Sequence, residues 1–368
     1  MRAKILAFTP ENIQKAAQAI QDGSVVGMPT ETVYGLAGDS RSTLALTRIF
    51  EVKERPRFDP LIIHLADTGA ATKTLTELER LKLIDGTQLP NQLQQMAHKL
   101  MKQFWPGPLT LVLPKHPEVP ELATSGLPTI ALRMPSHPVA QALLQASKCP
   151  LAAPSANRFG RISPTTSLAV AEELGDRIDW ILEGGASLIG VESTVVALKP
   201  TGEILLLRHG GTPLEKIEAA LGFPLLVPTK SQTLLGPGMT ESHYSPSKPF
   251  RILPKDVSQL HLSDLTEIYS VLDTVSPQTQ MGLLTLSGDP QLKANLLKKI
   301  LHRPVIATSL SLTGDLSEAA QQLFAKMRWL DASEAAILYC EPCLTQKGLG
   351  YAIHDRLTRA SARGESIN

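Results

Sequence analysis

Residues 24–39 read SVVGMPTETVYGLAGD, and this stretch decides the fold. Ser24 to Met28 is a short apolar run of strand type. It is followed without a break by Pro29, three polar side chains (Thr30, Glu31, Thr32) and glycines at 35 and 38. A buried strand that opens into a loop of hydroxyls, a carboxylate and glycines is the arrangement in which an α/β sheet presents a small polar ligand to backbone and side chains together. Just upstream, Thr9 caps a helix that begins at Pro10, carries Ile13, Ala16, Ala17 and Ile20 at helical spacing, and closes at Gly23.

The same alternation continues along the chain. Apolar runs at 61–65, 109–113, 129–134, 151–153, 193–198 and 204–207 predict strands, and helical periodicity predicts helices over 43–52, 91–104, 138–147, 166–174 and 213–221. One mixed α/β sheet with packed helices follows, in a domain spanning 1–224. Residues 225–249 are rich in Pro, Gly, Ser and Thr and keep neither period, so they predict a linker. Beyond it, strands at 250–253, 282–286, 305–307 and 336–339 and helices at 292–301 and 316–329 predict a smaller α/β domain over 250–368.

With 368 residues, 43% of them hydrophobic and 19% charged, the chain has ordinary globular usage, and two cores are expected. A formal net charge of +1 excludes attraction to nucleic acid or membrane by bulk charge, so an anion site must be local. No run is long and apolar enough to span a bilayer and none resembles a signal peptide, which predicts a cytoplasmic protein. Three cysteines do not make a disulfide framework. Cys340 and Cys343 have the spacing of redox or zinc pairs but lack the partners of a tetrahedral site, so they are expected to be structural.

Common nucleotide motifs (GxxxxGK[ST], GxGxxG) and HExxH are absent. The densest polar cluster is EVKERPRFDP, residues 51–60, where Lys53, Arg55 and Arg57 crowd a proline-stiffened loop between a helix and a strand. Arginine forks and a lysine point charge suit phosphate there. A second cluster, AAPSANRFGRISPT at 152–165, follows a buried strand with small residues and hydroxyls. Its Ser163 falls where a helix N-terminus is expected to begin, so backbone amides there could face an anion.

Taken in order, PTETVYGLAGD, KERPRFDPLIIH, ALRMPSHP, APSANRFGRISPT and ESTVV resemble the YrdC-like domain over residues 5 to about 215. HYSP at 243–246 and GLGYAIHDRLTRAS at 348–361 are similar to the longer two-domain members, the threonylcarbamoyl-AMP synthases. The resemblance implies a YrdC-like twisted mixed sheet with flanking helices, plus a smaller Rossmann-like C-terminal α/β domain. It implies synthesis of L-threonylcarbamoyladenylate from L-threonine, bicarbonate and ATP, with pyrophosphate released and Mg²⁺ carried by ATP. The product serves threonylcarbamoyl-adenosine modification of tRNA, through a downstream tRNA threonylcarbamoyl transferase complex and with possible tRNA contact.

By motif match, the catalytic set is Lys53, Arg55, Ser155 and Asn157. L-Threonine is held by Thr32, His64, Arg133, Ala153 and Ser193, and ATP by Arg55, Asp59, Thr129, Ser155, Ser163, Arg208 and Tyr244. Asp59 stands where many relatives have Asn, and a carboxylate near a triphosphate repels it unless paired. The linker reads as a lid, with Tyr244 stacking on adenine or bonding a phosphate and Gly236 and Gly238 as hinges. Lys53→Ala or Arg55→Ala is expected to lower product formation by roughly a hundredfold or more and to leave the fold intact. Two other readings fit the same domain: a carbamoyl-adenylating enzyme with another acceptor, and a noncatalytic RNA-binding module.

Overall fold

The computed structural model describes residues 3–56, 59–69, 74–228, 244–265, 268–269 and 276–362. They divide into two compact units, Met1–Phe159 with Ser163–Thr240, and Gly160–Ile162 with Glu241–Asn368.

In the first unit the described strands form one ten-stranded sheet. In chain order they are β1 (Lys4–Leu6), β2 (Val26–Met28), β3 (Gly35–Asp39), β4 (Ile62–His64), β5 (Leu109–Pro114), β6 (Thr129–Arg133), β7 (Leu151–Ala152), β8 (Trp180–Leu182), β9 (Thr194–Leu198) and β10 (Ile204–Arg208). Their spatial order is β1-β8-β2-β3-β7-β4-β6-β5-β9-β10, with parallel and antiparallel neighbours mixed. The helices are α1 (Pro10–Gln21), α2 (Thr43–Lys53), α3 (Leu75–Arg80), α4 (Asn91–Phe104), α5 (Glu121–Thr124), α6 (Pro138–Ser147), α7 (Ser167–Leu174) and α8 (Leu214–Leu221). Thr9 caps α1 by accepting from the Asn12 amide at 3.2 Å, and Ile13, Ala16, Ala17 and Ile20 are its buried stripe, as their spacing requires.

The opening stretch departs from its reading in one half. Residues Gly35–Asp39 are a strand, β3, paired antiparallel to β2 through Val26↔Ala37 and Met28↔Gly35. The glycines hid it, because Gly lowers strand propensity. Here they serve close approach. A Cβ on Gly35 would stand 3.1 Å from the Cβ of Ala153, and one on Gly38 3.3 Å from Ile49 and Val25. β1 and β8, three residues each, were also too short to show a period. The unit continues past residue 224: Leu225 is buried, and the Leu206 amide donates to the Leu226 carbonyl at 2.9 Å.

In the second unit the described strands form a four-stranded parallel sheet of β11 (Phe250–Ile252), β12 (Met281–Thr285), β13 (Val305–Ser309) and β14 (Ile337–Cys340) in the order β11-β14-β12-β13. Helices α9 (Pro290–Leu301), α10 (Leu316–Ala332) and α11 (Gly350–Ser361) accompany it. Periodicity missed α11 because its inward face carries Arg356, which is fully buried among apolar residues. Cys340 and Cys343 are free and buried. Burial pushes the Cys340 thiol well above its ordinary range, which keeps it protonated and suits a structural role. Residues 229–243, including Gly236, Gly238 and His243, lie outside the described residues, as do Arg57 and Phe58.

Candidate active site

Strand register gathers the first polar group. β4 and β6 run parallel with His64 beside Arg133, and β5 runs antiparallel with Thr110 on the other side of Arg133. Directly paired residues share a face, so the three side chains stand in a row across adjacent strands. Arg133 is buried and donates through Nη2 to Glu31 Oε1 at 2.7 Å and through Nε to the Gly107 carbonyl at 3.3 Å. His64 is likewise buried. Loss of solvent, reinforced by the charge of Arg133, brings its pKa down to about 3, so the imidazole is neutral at physiological pH. In the loop of Glu31, Thr30 donates to the Val33 carbonyl at 2.6 Å. Its oxygen is therefore the acceptor in the 2.9 Å contact with Thr32. Ser193 adds a hydroxyl 2.7 Å from that of Thr110, and Arg208 donates to the Ser193 hydroxyl and carbonyl, each at 3.1 Å.

The second group forms where α2 ends. Glu54 takes the left-handed conformation (φ 53°) and turns the chain, while Lys53 points inward. Its ammonium donates to the carbonyls of Ser155 at 2.5 Å and Asn157 at 2.6 Å, and its own carbonyl accepts from the Phe159 amide at 2.8 Å. Burial, followed by the neighbouring charge of Arg55, pushes the Lys53 pKa well below its usual value. Arg55 pairs with Asp59 at 2.7 Å and donates to the carbonyls of Asp59 (3.3 Å) and Pro60 (3.1 Å). The carboxylate that the sequence left repulsive toward a triphosphate is thus neutralised within its own loop. Asn157 donates through Nδ2 to the Arg158 carbonyl at 2.7 Å. Ser163 is not at a helix start: α7 is capped three residues later by Thr166, and the Ser163 hydroxyl donates to Glu192 at 2.6 Å.

The two groups occupy opposite ends of the same strands. Thr129 begins β6 and Arg133 ends it, about 13 Å apart at ~3.3 Å per residue. The Ile62↔Ala131 register carries Thr129 toward the level of Pro60, to which Arg55 is bonded. Between the ends lies an apolar floor of Val112, Ala131, Val195 and Ala197 with Ile62 against it. Ala153 borders the floor, its amide bonded to the Ile62 carbonyl at 3.0 Å. The arrangement suits a ligand with a small polar head, an apolar middle and an anionic tail.

A family model described as telomere recombination matches residues 18–210, and one described as the threonylcarbamoyl-AMP synthase C-terminal domain matches 212–362. The curated threonylcarbamoyl-AMP synthases of Pyrococcus abyssi and Bacillus subtilis are 37% and 35% identical to the chain, over 95% and 97% of it and 94% of each relative. The crystal structure of P. abyssi Sua5 complexed with L-threonine matches with a TM-score of 0.80 at 34% identity, covering 98% of both chains. The chain belongs to the threonylcarbamoyl-AMP synthase family. It is a mixed α/β enzyme of that family, and the activity that goes with membership is synthesis of L-threonylcarbamoyl-AMP.

Within this threonylcarbamoyl-AMP synthase framework, Thr32, His64, Arg133 and Ser193 fall in the first group and Lys53, Arg55, Asp59, Asn157 and Thr129 in the second. Arg208, read as a nucleotide ligand, is bonded to Ser193, read as a threonine ligand. Tyr244 lies in the second unit, where its ring stacks on Phe324 at 5.5 Å between centroids and under the Arg356 guanidinium at 5.3 Å. A role against adenine would require that ring to leave this packing. No individual role follows from the sequence alone for Glu31, Thr110 or Glu192. Glu31 was visible as a polar residue in its loop, whereas Thr110 lay in an apolar strand and only the register reveals it. Among the described residues no group of three or more His, Cys, Asp or Glu is placed to hold a metal, and no helix is long and apolar enough to cross a membrane.

Proposed function

We propose that the face of β4, β5 and β6 binds L-threonine at its Arg133 end and MgATP toward its Arg55 end, and that it joins them through bicarbonate. Threonine's ammonium and bicarbonate give a carbamate with loss of water and a proton. The carbamate oxygen then attacks the α-phosphorus, and the bond to pyrophosphate breaks. The observation that carries the reading is the separation of a buried Arg–Glu pair from a Lys53–Arg55–Asp59 cluster by one apolar floor. Arg208, hydrogen-bonded to Ser193, brings a cation to the threonine side, where carbamate and α-phosphate meet. Thr32, Ala153 and Ser193 shape the amino-acid pocket; Ser155, Asn157, Thr129 and Ser163 line the nucleotide side. No protein nucleophile is needed, since positioning and charge stabilisation suffice for phosphoryl transfer. Mg²⁺ enters on the phosphates and keeps water ligands, a state that needs no protein carboxylate cage. The product passes to a tRNA threonylcarbamoyl transferase in the cytoplasm.

Pyrophosphate release should require threonine, bicarbonate and ATP together. Release without threonine points to another carbamate acceptor, and no release under any combination points to a binding module. A smaller effect is expected at Asp59. Asp59→Asn keeps the shape and removes a negative charge beside Arg55, so the KM for ATP should fall a few-fold. A rise instead would show that the carboxylate's main service is to orient the guanidinium.

A further inference from the structure

Glu31 has one carboxylate oxygen occupied and one idle. Oε1 accepts from Arg133, but Oε2, equally enclosed, has no hydrogen-bond donor among the described residues. The side chain is 6% exposed, so water does not readily replace the missing donor. A buried acceptor left without a partner is costly, more so when charged, and calls for an explanation.

The neighbours do not supply one. His137 is electrostatically coupled to Glu31, but both of its ring nitrogens are engaged. Nδ1 accepts from the Val139 amide at 3.2 Å and Nε2 donates to the Gly184 carbonyl at 3.1 Å. His64 is neutral and its Nδ1 is directed to the Ile62 carbonyl at 3.2 Å. The loop is pinned on both sides of Glu31. The Glu31 carbonyl accepts from the Ile189 amide at 2.8 Å, and the Thr30 carbonyl accepts from the Ser187 hydroxyl at 3.0 Å.

We propose that Glu31 Oε2 is the acceptor for the α-ammonium of the amino-acid substrate, which makes Glu31 a binding and specificity residue of this site. The inference rests on the threonine reading above. An α-amino acid carries its two charges on groups that flank a single carbon, and here a guanidinium and a carboxylate are joined by one 2.7 Å bond. With the substrate carboxylate on Arg133, the ammonium falls next to the Glu31 carboxylate, while the threonine hydroxyl lies one carbon farther away. The charges then alternate around a closed set of four, and each buried ion has an opposite neighbour. An acid without the amine fills only the Arg133 half.

The test compares L-threonine with its des-amino analogue, (R)-3-hydroxybutanoate, by calorimetric and competition binding to the full-length protein. Wild type should prefer threonine. Glu31→Gln preserves size and the acceptor for Arg133 but removes the charge, so threonine affinity should fall about 10- to 100-fold. Affinity for the analogue should hold within about threefold, as it makes no ammonium contact. Glu31→Asp keeps the charge and should recover part of the loss. Parallel loss of both ligands would reduce Glu31 to a support for Arg133, and unchanged threonine affinity would remove it from the site; either overturns the proposal. Failure of the wild type to bind threonine at all would instead overturn the threonine reading itself.

Discussion

Lys53→Met is expected to lower threonylcarbamoyl-AMP formation by roughly a hundredfold or more and to destabilise the protein as well. The sequence alone suggested a cation whose removal leaves the fold intact. The structure corrects this. The Lys53 ammonium is buried and holds the carbonyls of Ser155 and Asn157, so methionine fills the space but leaves two enclosed acceptors without donors. At ~1–3 kcal/mol for each, a loss of about 2–6 kcal/mol in unfolding free energy follows. Catalysis suffers twice. The Ser155–Asn157 segment loses its anchor, and a positive charge disappears from the nucleotide side. Burial and the charge of Arg55 hold the Lys53 pKa well below its usual value, so a nearby polyphosphate should push it back up and favour the ammonium in the ATP complex. Steady-state pyrophosphate release and urea denaturation measure the two effects. Turnover within threefold of wild type would sink the assignment, and undiminished stability would show that the carbonyls find other donors.

The longer helices and most of the longer strands of the first unit were legible because their periods are carried by aliphatic residues, as in α1 and β5, whereas the short α3 and α5 were not. β3 was not, since its glycines are there for contact with Ala153, Ile49 and Val25, a tertiary requirement with no local signature. α11 was lost for the opposite reason, a buried arginine on its inner face. For the site, residue types marked the loops at 29–39, 51–60 and 152–165 as polar clusters. Pairings across long separations are fixed by register and stayed hidden. Arg133 meets Glu31 across 102 positions and Thr110 meets Ser193 across 83. The motif match assigns Tyr244 to a nucleotide, and what residue types could not show is that its ring packs against Phe324 and Arg356.

The Arg133–Glu31 pair gives the second large effect. Arg133→Met should abolish measurable threonine binding, a loss of at least a hundredfold, and cost about 3–5 kcal/mol of stability. Both come from one cause. The guanidinium is the partner of the buried Glu31 carboxylate and, in the proposed binding mode, the cation offered to the substrate carboxylate, so its removal should leave an uncompensated charge between β2 and β3 and no anchor for the ligand. The two consequences separate in the double variant. In Arg133→Met/Glu31→Gln no unpaired ion is left behind, and exchanging a buried ion pair for neutral groups of similar volume is often close to neutral. Stability should therefore return to within about 1–2 kcal/mol of wild type, and the coupling between the two sites should appear as strong non-additivity. Threonine binding should stay lost, because neither charge of the zwitterion has a partner. If the double variant is instead as unstable as the sum of the singles, the pair is not the source of the cost and the pocket's rigidity must come from its hydroxyl network. If it regains threonine affinity along with stability, the charges serve the fold and not the ligand.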